Sequence, residues 1–487
     1  RLGTLGVADI LLSEAWPRAD ARSSGGATLD ISHDEMEICL SVLQRIADSG
    51  GAMHRSDRLK GLISKIYKES KRYDRNVERR RLADEDRSLQ ATTAMVQVQR
   101  DALPATTPLL PAAPSTVRTL NQPETCYVCK AQFTEIHSFY HLLCPSCAAF
   151  NFQMRHLRAD LKGRTALVTG GRVKIGHQTV LRLLRDGAKV IVTTRFPYAA
   201  ARRLFEEPDS AEWLHRVHVH GLDLRNLPAV ETFARHLMAT ETSLEILIHN
   251  AAQTVRRPQG FYSELLAQEQ QPMRSLPPEA RRLVVQEAPR SSTLALTDGS
   301  AALPALRDVM SVDRFVDNEE RLDTRSHNSW MSRLDEVSVP EMLEVQLINV
   351  TAPFLLNSRL KPLMTRSPFE RRFIVNVSAM EGQFNRHKTV YHPHTNMAKA
   401  ALNMMTRTSG EDYARDHIFM TSVDTGWITD ENPTPKRERG QGERGFFPPL
   451  DIIDGASRIY HPVAHGLNNP ETPYYGLFLK DYRPCAW

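Results

Sequence analysis

No stretch of the 487 residues approaches 18 consecutive apolar positions, so the sequence offers no membrane-spanning helix and implies no membrane partner. Charge of one sign is also scarce: 62 Lys+Arg against 57 Asp+Glu leave +5. A balance that small does not by itself point to nucleic acid, and the predominance of arginine over lysine reads as compositional bias. Cysteine is rare as well. Six cysteines in a chain of this length are too few for a disulfide framework. Cys39 and Cys485 stand alone, while Cys126, Cys129, Cys144 and Cys147 form two close pairs, which suggests a metal and a reducing, intracellular compartment. There is no internal repeat. What remains is an ordinary globular composition, 41% hydrophobic and 24% charged, with mean hydropathy −0.39. The length allows two or three domains.

Residues 1–30 show no periodicity and read as extended or disordered. The chain starts at Arg1, and the stretch through Gly26 is rich in Arg, Ala and Ser but also holds Asp9, Glu14 and Asp20. A processed organellar precursor and a trimmed chain would both begin this way, so mitochondrial and cytoplasmic locations both stay open. From Ser32 the spacing of Met36, Leu40, Leu43 and Ala47 predicts a helix, capped by Ser32 or Asp34 and ended by Gly50–Gly51. A second helix starts near Ser56, with Leu59, Leu62, Ile63, Ile66 and Tyr67 on one face. Residues 57–81 carry ten Lys/Arg against four Asp/Glu. This reads as a solvated face in preference to a surface for RNA or an acidic partner. The organisation expected is an N-terminal helical segment over 1–100, a Pro/Ala/Thr-rich linker over 101–123, a metal module over 124–150, and a larger core over 160–487.

In the module, Cys126-x2-Cys129-x14-Cys144-x2-Cys147 presents two CxxC turns that a hairpin can bring to one ion. Four thiolates close the coordination sphere, so the site reads as structural zinc with no open position for catalysis. His137 and His141 in the spacer are read as packing or hydrogen-bonding residues in preference to ligands. The arrangement is similar to zinc ribbons and to half of a RING-like module. Such modules serve contacts with protein or nucleic acid, or only stabilise their domain, and the sequence leaves these open.

The core opens with RTALVTG at 164–170, a short apolar strand entering a glycine turn. GHQTVLRLLRDGAKV at 176–190 then gives a helix, and VIVTTR a second strand. That order is the beginning of a dinucleotide fold, in which backbone N–H groups at a helix N-terminus meet a pyrophosphate. The turn Thr169-Gly170-Gly171-Arg172-Val173-Lys174-Ile175-Gly176 resembles the TGxxxGxG fingerprint of short-chain dehydrogenases/reductases, with Lys174 at the middle glycine as in the TGxxxRxG loop of pteridine reductases. The resemblance implies an α/β class, a doubly wound parallel sheet (Rossmann fold) preceded by the helical segment and the small zinc module. It covers about residues 160–487 apart from a 259–340 insertion, part of which is expected to be mobile and which offers a lid or a surface for protein partners. The second strand ends at Thr193-Thr194-Arg195 without an acidic residue for an adenosine ribose. Arg195 with Arg172 and Lys174 therefore suits NADP(H) better than NAD. By the same resemblance Asp223-Leu224 would contact adenine, Asn250 would lie beside the coenzyme, and Thr429 would meet the nicotinamide carboxamide.

Asn349, Ser378 and Lys399 match three of the family's four catalytic residues. The fourth, a tyrosine four residues before the lysine, is Thr395, whose hydroxyl is too weak an acid to replace a tuned phenol. Tyr391 has the family's serine-to-tyrosine spacing of thirteen residues from Ser378, but stands eight before Lys399 with Pro393 between, so the helix is expected to begin near Pro393. His394 is a second candidate donor. Two functions follow. One is an NADP(H)-dependent reductase of a carbonyl or related C=N or C=C substrate. The other is a catalytically degenerate derivative, a pseudoenzyme serving as subunit or assembly factor of a larger complex, with an organellar, RNA-containing complex as one form of it.

Overall fold

The computed structural model describes residues 31–49, 57–101, 118–285, 315–316, 320–321, 325–385, 387–429 and 431–487. The expectations for residues 1–30, for the Gly50–Gly51 stop, for most of the linker and for much of the insertion lie outside these residues. The chain forms two compact units, Arg1–Asp84 and Glu85–Trp487. No helix among the described residues is long and apolar enough to cross a membrane.

In the first unit, α1 (His33–Asp48) begins with a reciprocal cap. Ser32 Oγ accepts the Glu35 N–H at 3.3 Å, and the Glu35 carboxylate accepts the Ser32 N–H at 2.8 Å. The long basic helix α2 (Asp57–Gln90) follows, with residues 85–90 of it counted in the second unit, and carries an Arg81–Glu78 pair at 2.6 Å. Neither helix has a buried residue.

The second unit continues with α3 (Ala94–Asp101) and the hairpin β1 (Arg118–Thr125) and β2 (Gln132–Ile136), whose register shifts between Thr119 and Glu124. Helix α4 (Pro145–Arg155) closes this small module. The core then alternates strand and helix: β3 (Thr165–Thr169), α5 (Lys174–Arg185), β4 (Lys189–Thr194), α6 (Pro197–Glu206), β5 (Val217–Gly221), α7 (Leu227–Thr240) and β6 (Ile246–His249). After the described parts of the insertion, which include α8 (Ser263–Gln270) and α9 (Pro278–Leu283), come α10 (Val339–Gln346) and α11 (Ala352–Thr365). These two are joined by one π-helical stretch, Leu347–Thr351. The chain ends with β7 (Arg372–Ser378), α12 (Pro393–Arg415), β8 (Ile418–Asp424), α13 (Thr434–Arg444), α14 (Ile452–Asn468), β9 (Leu477–Lys480) and β10 (Arg483–Cys485).

The eight core strands lie in the order β5-β4-β3-β6-β7-β8-β9-β10, and all pair in parallel except β10 on β9. The strand order reverses between β3 and β6, which opens the crevice where such sheets take ligands. The near-continuous apolar strands are explained by burial on both faces. Ala166, Val168, Val190, Val192, Ile246 and Ile248 pack toward α5, α6 and α14. The alternate residues Leu167, Ile191, Leu247 and Ile374 pack toward α7 and α11. The expected doubly wound α/β sheet is the fold observed.

The small module is fused to this core by apolar and ionic contacts. Met95, Phe133, Phe139, Tyr140, Leu143 and Ala148 share one cluster with Ile428 and Leu450. Beneath it Arg155 reaches Asp451 at 2.7 Å and Asp454 at 3.0 Å, and Tyr140 Oη donates to Asp454 at 2.6 Å. Burial raises the Asp454 carboxyl, while Arg155 holds Asp451 below the usual carboxylate range against its burial.

Candidate functional site

The turn after β3 is shaped by two glycines. Gly170 has φ +70, and a Cβ there would meet Ala251 Cα at 2.9 Å. A Cβ on Gly176 would lie 2.2 Å from Gly170 O and 2.4 Å from Asn250 Nδ2, so only glycine lets α5 approach the turn. Asn250 pins the turn by donating to Thr169 O at 3.2 Å and Gly170 O at 3.0 Å, and the buried Thr169 Oγ1 accepts the Ala251 N–H at 3.1 Å. No side chain caps the start of α5, where Val173 is the cap residue, Lys174 takes φ +53 and Ile175 is half-buried. First-turn N–H groups without a side-chain cap form an anion site.

Cations flank it. The Arg172 guanidinium lies 5.3 Å above the Phe196 ring, and the exposed Arg195 lies 5.3 Å from the same ring and 4.7 Å from that of Tyr262. Tyr262 belongs to the insertion, and sequence reasoning did not single it out. The insertion also supplies Glu269, whose carboxylate accepts the Tyr198 N–H at 2.9 Å and the Ala199 N–H at 3.1 Å at the start of α6. The available signal was a helix opening on Pro197 with Phe196, not a capping residue, before it. Asp223 faces Arg225 in a bidentate pair with a shortest contact of 2.6 Å, and Arg225 continues to Glu344 at 3.2 Å. Leu224 beside it is buried.

At the ends of β7 and β8, Ser378 and Asp424 are paired in register. Ser378 Oγ donates to Lys399 O at 3.5 Å, and the buried Lys399 Nζ donates to Val377 O at 2.8 Å. Burial brings the Lys399 ammonium down to about 8, with Glu381 and Asp424 opposing. Asn349 lies in the π-helical stretch, a local widening common at functional sites. Both its polar atoms clamp the Gln253 backbone, at 2.8 and 3.0 Å. Helix α12 begins at Pro393, as that proline implies, with His392 as cap at φ +43. His392 stacks on Trp330 of the insertion at 4.0 Å and 6°. Tyr391 precedes the helix and is 38% exposed, whereas His394 and Thr395 are buried. Burial lowers the His394 pKa, and its Nε2 lies 4.0 Å from the Glu341 carboxylate. The structure thus brings Ser378 and Lys399 together, with Tyr391 in the exposed segment just ahead of the helix that carries Lys399. Thr429 is exposed and donates to Glu431 at 2.7 Å.

In the small module the Sγ atoms of Cys126, Cys129, Cys144 and Cys147 all lie within 4.8 Å of one another, with Cys129 and Cys144 at 3.7 Å. A tetrahedral zinc–thiolate site has S–S edges of roughly 3.8 Å, so the four residues fit such an ion. Cys144 caps α4, and its N–H donates to Cys126 Sγ at 3.3 Å. Burial raises the Cys126 and Cys147 thiols; at Cys144, hydrogen bonds from Ser146 and Cys147 outweigh burial and bring the thiol down to about 6. The spacer histidines lie elsewhere. His137 Nδ1 accepts the Phe139 N–H at 3.1 Å, and His141 Nε2 donates to Phe447 O at 3.2 Å.

The family model for short chain dehydrogenase matches residues 164–273. Over 377 residues the chain is 35% identical to the uncharacterized protein R665 of Acanthamoeba polyphaga mimivirus, covering 74% of each protein. Over residues 164–273 this chain is similar to the short-chain dehydrogenases. Dehydrogenase/reductase SDR family member 13 of Bos taurus is 43% identical over 96 residues, 19% of this chain, and is spanned over 24% of its own length. The NADPH-bound carbonyl reductase from chicken fatty liver is 18% identical over 67% of this chain and 100% of that one, with a TM-score of 0.41. Beyond the match to the family model the chain carries Thr395 four residues before Lys399, the long insertion and the four-cysteine module.

Proposed function

We propose that this chain binds NADP(H), in preference to NAD(H), and is a reductase of a carbonyl-type substrate. The observation that carries the reading is the pairing of a glycine-only turn, Gly170 against Ala251 and Gly176 against Gly170 O, with a helix start that no side chain caps. Thr169, Gly170, Ile175 and Gly176 would hold the pyrophosphate, and Arg172, Lys174 and Arg195 the 2′-phosphate. Asn250 would keep the turn in shape, Asp223 and Leu224 would wall the adenine, and Thr429 would meet the carboxamide. Such a coenzyme supplies the hydride. Lys399 would hold its ribose and Ser378 the substrate oxygen, while Asn349 fixes the segment that leaves β6 through Gln253. The two donor candidates are Tyr391, exposed just ahead of the helix, and His394, buried 4.0 Å from the Glu341 carboxylate. The four thiolates Cys126, Cys129, Cys144 and Cys147 would hold a structural zinc, which requires a reducing compartment.

Fluorescence titration with NADPH and NADH tests the coenzyme. Arg195→Ala is expected to weaken NADPH binding about tenfold, the scale of one charge-assisted contact, and to leave NADH binding unchanged. Equal losses for both coenzymes would refute a 2′-phosphate contact. A carbonyl panel tests the chemistry: the donor is whichever of Tyr391→Phe and His394→Ala lowers turnover by about 10²-fold or more, the share of one general acid, and loss in neither variant refutes both.

A second reading, nucleotide binding without turnover in a subunit or assembly factor of a larger complex, is favoured by Thr395 in place of the phenol. Its partners would be proteins, or RNA, met through the zinc module and the insertion. NADPH binding with no turnover across the panel, together with co-purification of such partners, would select it.

A further inference from the structure

The small module does more than sit beside the core. Tyr127, between the ligand candidates Cys126 and Cys129, accepts the Trp427 N–H on its hydroxyl at 2.9 Å, across 300 positions of sequence. That amide belongs to the loop leaving β8, the loop that carries Thr429. Gly426 beside it has φ +83, and a Cβ there would lie 2.5 Å from Leu450 Cδ1 and 3.5 Å from Tyr127 Oη. Three of the contacts that hold the loop are the Gly426 N–H on Asp424 Oδ1 at 2.9 Å, the Trp427 N–H on Tyr127, and the Ile428 side chain among Phe139, Tyr140 and Leu143. Two of the three come from the four-cysteine module. The same apolar cluster takes Ile175 from the first turn of α5. A Cβ on Gly455 would lie 2.4 Å from Ile428 Cδ1 and 3.2 Å from Ile175 Cδ1, so both residues press on the same spot of α14. Both ends of the coenzyme crevice therefore lean on one cluster, and the module supplies much of it.

We propose that Tyr127 is a positioning residue for the coenzyme: an ion on the four cysteines fixes the Cys126–Cys129 turn, the Tyr127 hydroxyl transmits that position to the 425–429 loop, and metal occupancy and coenzyme affinity are thereby coupled. The inference rests on the NADP(H) reading above. The backbone bonds of the turn are Cys126 N–H to Ala131 O at 2.9 Å and Lys130 N–H to Cys126 O at 3.0 Å within it, and Tyr127 N–H to Leu142 O at 2.8 Å toward the second cysteine pair, and a two-stranded hairpin does not hold itself together. Ligation is what such small modules fold around. Coupling of this kind is reciprocal, so the nucleotide must tighten the metal by the factor with which the metal tightens the nucleotide.

The test uses the full zinc-loaded chain, the same chain stripped by a chelator, and Tyr127→Phe, which keeps the ring and removes only the hydroxyl. NADPH affinity is read by fluorescence titration, and zinc affinity by competition with a chromophoric chelator with and without saturating NADPH. Tyr127→Phe is expected to keep its zinc and its thermal midpoint while binding NADPH about five- to tenfold more weakly, at the low end of usual coupling strengths. NADPH should tighten zinc in the wild type by a measurable factor, and by less in Tyr127→Phe. Unchanged NADPH affinity in Tyr127→Phe, or zinc affinity indifferent to NADPH, overturns the coupling and leaves the coenzyme reading standing. A loaded wild type that binds no NADPH removes the coenzyme reading itself and the coupling with it. If the stripped chain unfolds, Tyr127→Phe alone decides.

Discussion

Lowering the pH from 7 to 5 will destabilise the second unit by roughly 5–8 kcal/mol, the sum of four buried histidines at about 1.4 kcal/mol per pH unit each. Burial pushes the imidazoles of His141, His249 and His461 down to about 4 and that of His220 to about 3. At His220 the neighbouring His236, His218 and Lys189 add to burial, and at His461 the neighbour is His465. At His141 and His249 single hydrogen bonds, to Phe447 O and Asn357 Oδ1, oppose burial without cancelling it. The sign follows from the order of the two states. Each folded value lies below the ordinary value of 6.5, so the unfolded chain takes up protons first as the pH falls. The stabilisation is complete above about pH 6.5 and is lost on the way toward pH 4. Asp454, raised by burial, works in the opposite sense and removes part of the effect, while the depressed Asp451 acts below this window. Since whole domains are stable by only about 5–15 kcal/mol, the urea midpoint should collapse between pH 7 and 5. His220→Phe and His249→Asn, both remote from the four cysteines, should each flatten the slope. Slopes equal to the wild type in both variants would mean that loss of the metal, and not protonation of the core, drives the change.

Those histidines also mark the limit of what the sequence conveys. The β3-turn-α5 opening was legible because alternation, a glycine turn and a helical apolar face are all local patterns, and the four-cysteine spacing is equally local. The helix start at Pro393 was legible for the same reason: proline at the first helical position has a local steric cause. Side-chain partners are not local. Glu269 reaches α6 from the insertion, Tyr127 reaches Trp427 over 300 positions, and Asn349 clamps Gln253, 96 positions earlier. The family resemblance implied an adenine contact at Asp223, and Arg225, two positions away, holds the carboxylate. His220 and His249 fall in apolar strands where periodicity assigns burial, but the absence of a charged partner appears only once the neighbouring strands and helices are in place.

Replacing Gly176 with alanine should abolish detectable nucleotide binding, a loss of about a hundredfold or more, and destabilise the core by about 1–3 kcal/mol, the usual range for overpacking. The added methyl would sit 2.2 Å from Gly170 O and 2.4 Å from Asn250 Nδ2. Neither neighbour can give way cheaply. Gly170 O is backbone, in a turn whose N–H is bonded to Thr193 O at 2.8 Å. Asn250 Nδ2 already donates to Thr169 O and Gly170 O, and leaving those two part-buried carbonyls without their donor adds its own penalty. The strain must therefore push α5 away from β3, or swing Asn250 out of the turn. Either response moves the first-turn N–H groups that a phosphate would meet, and a displacement of an ångström at such a cradle removes most of its charge-assisted bonds. Thermal midpoint and NADPH titration measured on the same preparation separate the two effects. A folded Gly176→Ala protein that binds NADPH as tightly as the wild type would show that the pyrophosphate does not lie at the N-terminus of α5, and the proposed placement of the coenzyme would be wrong.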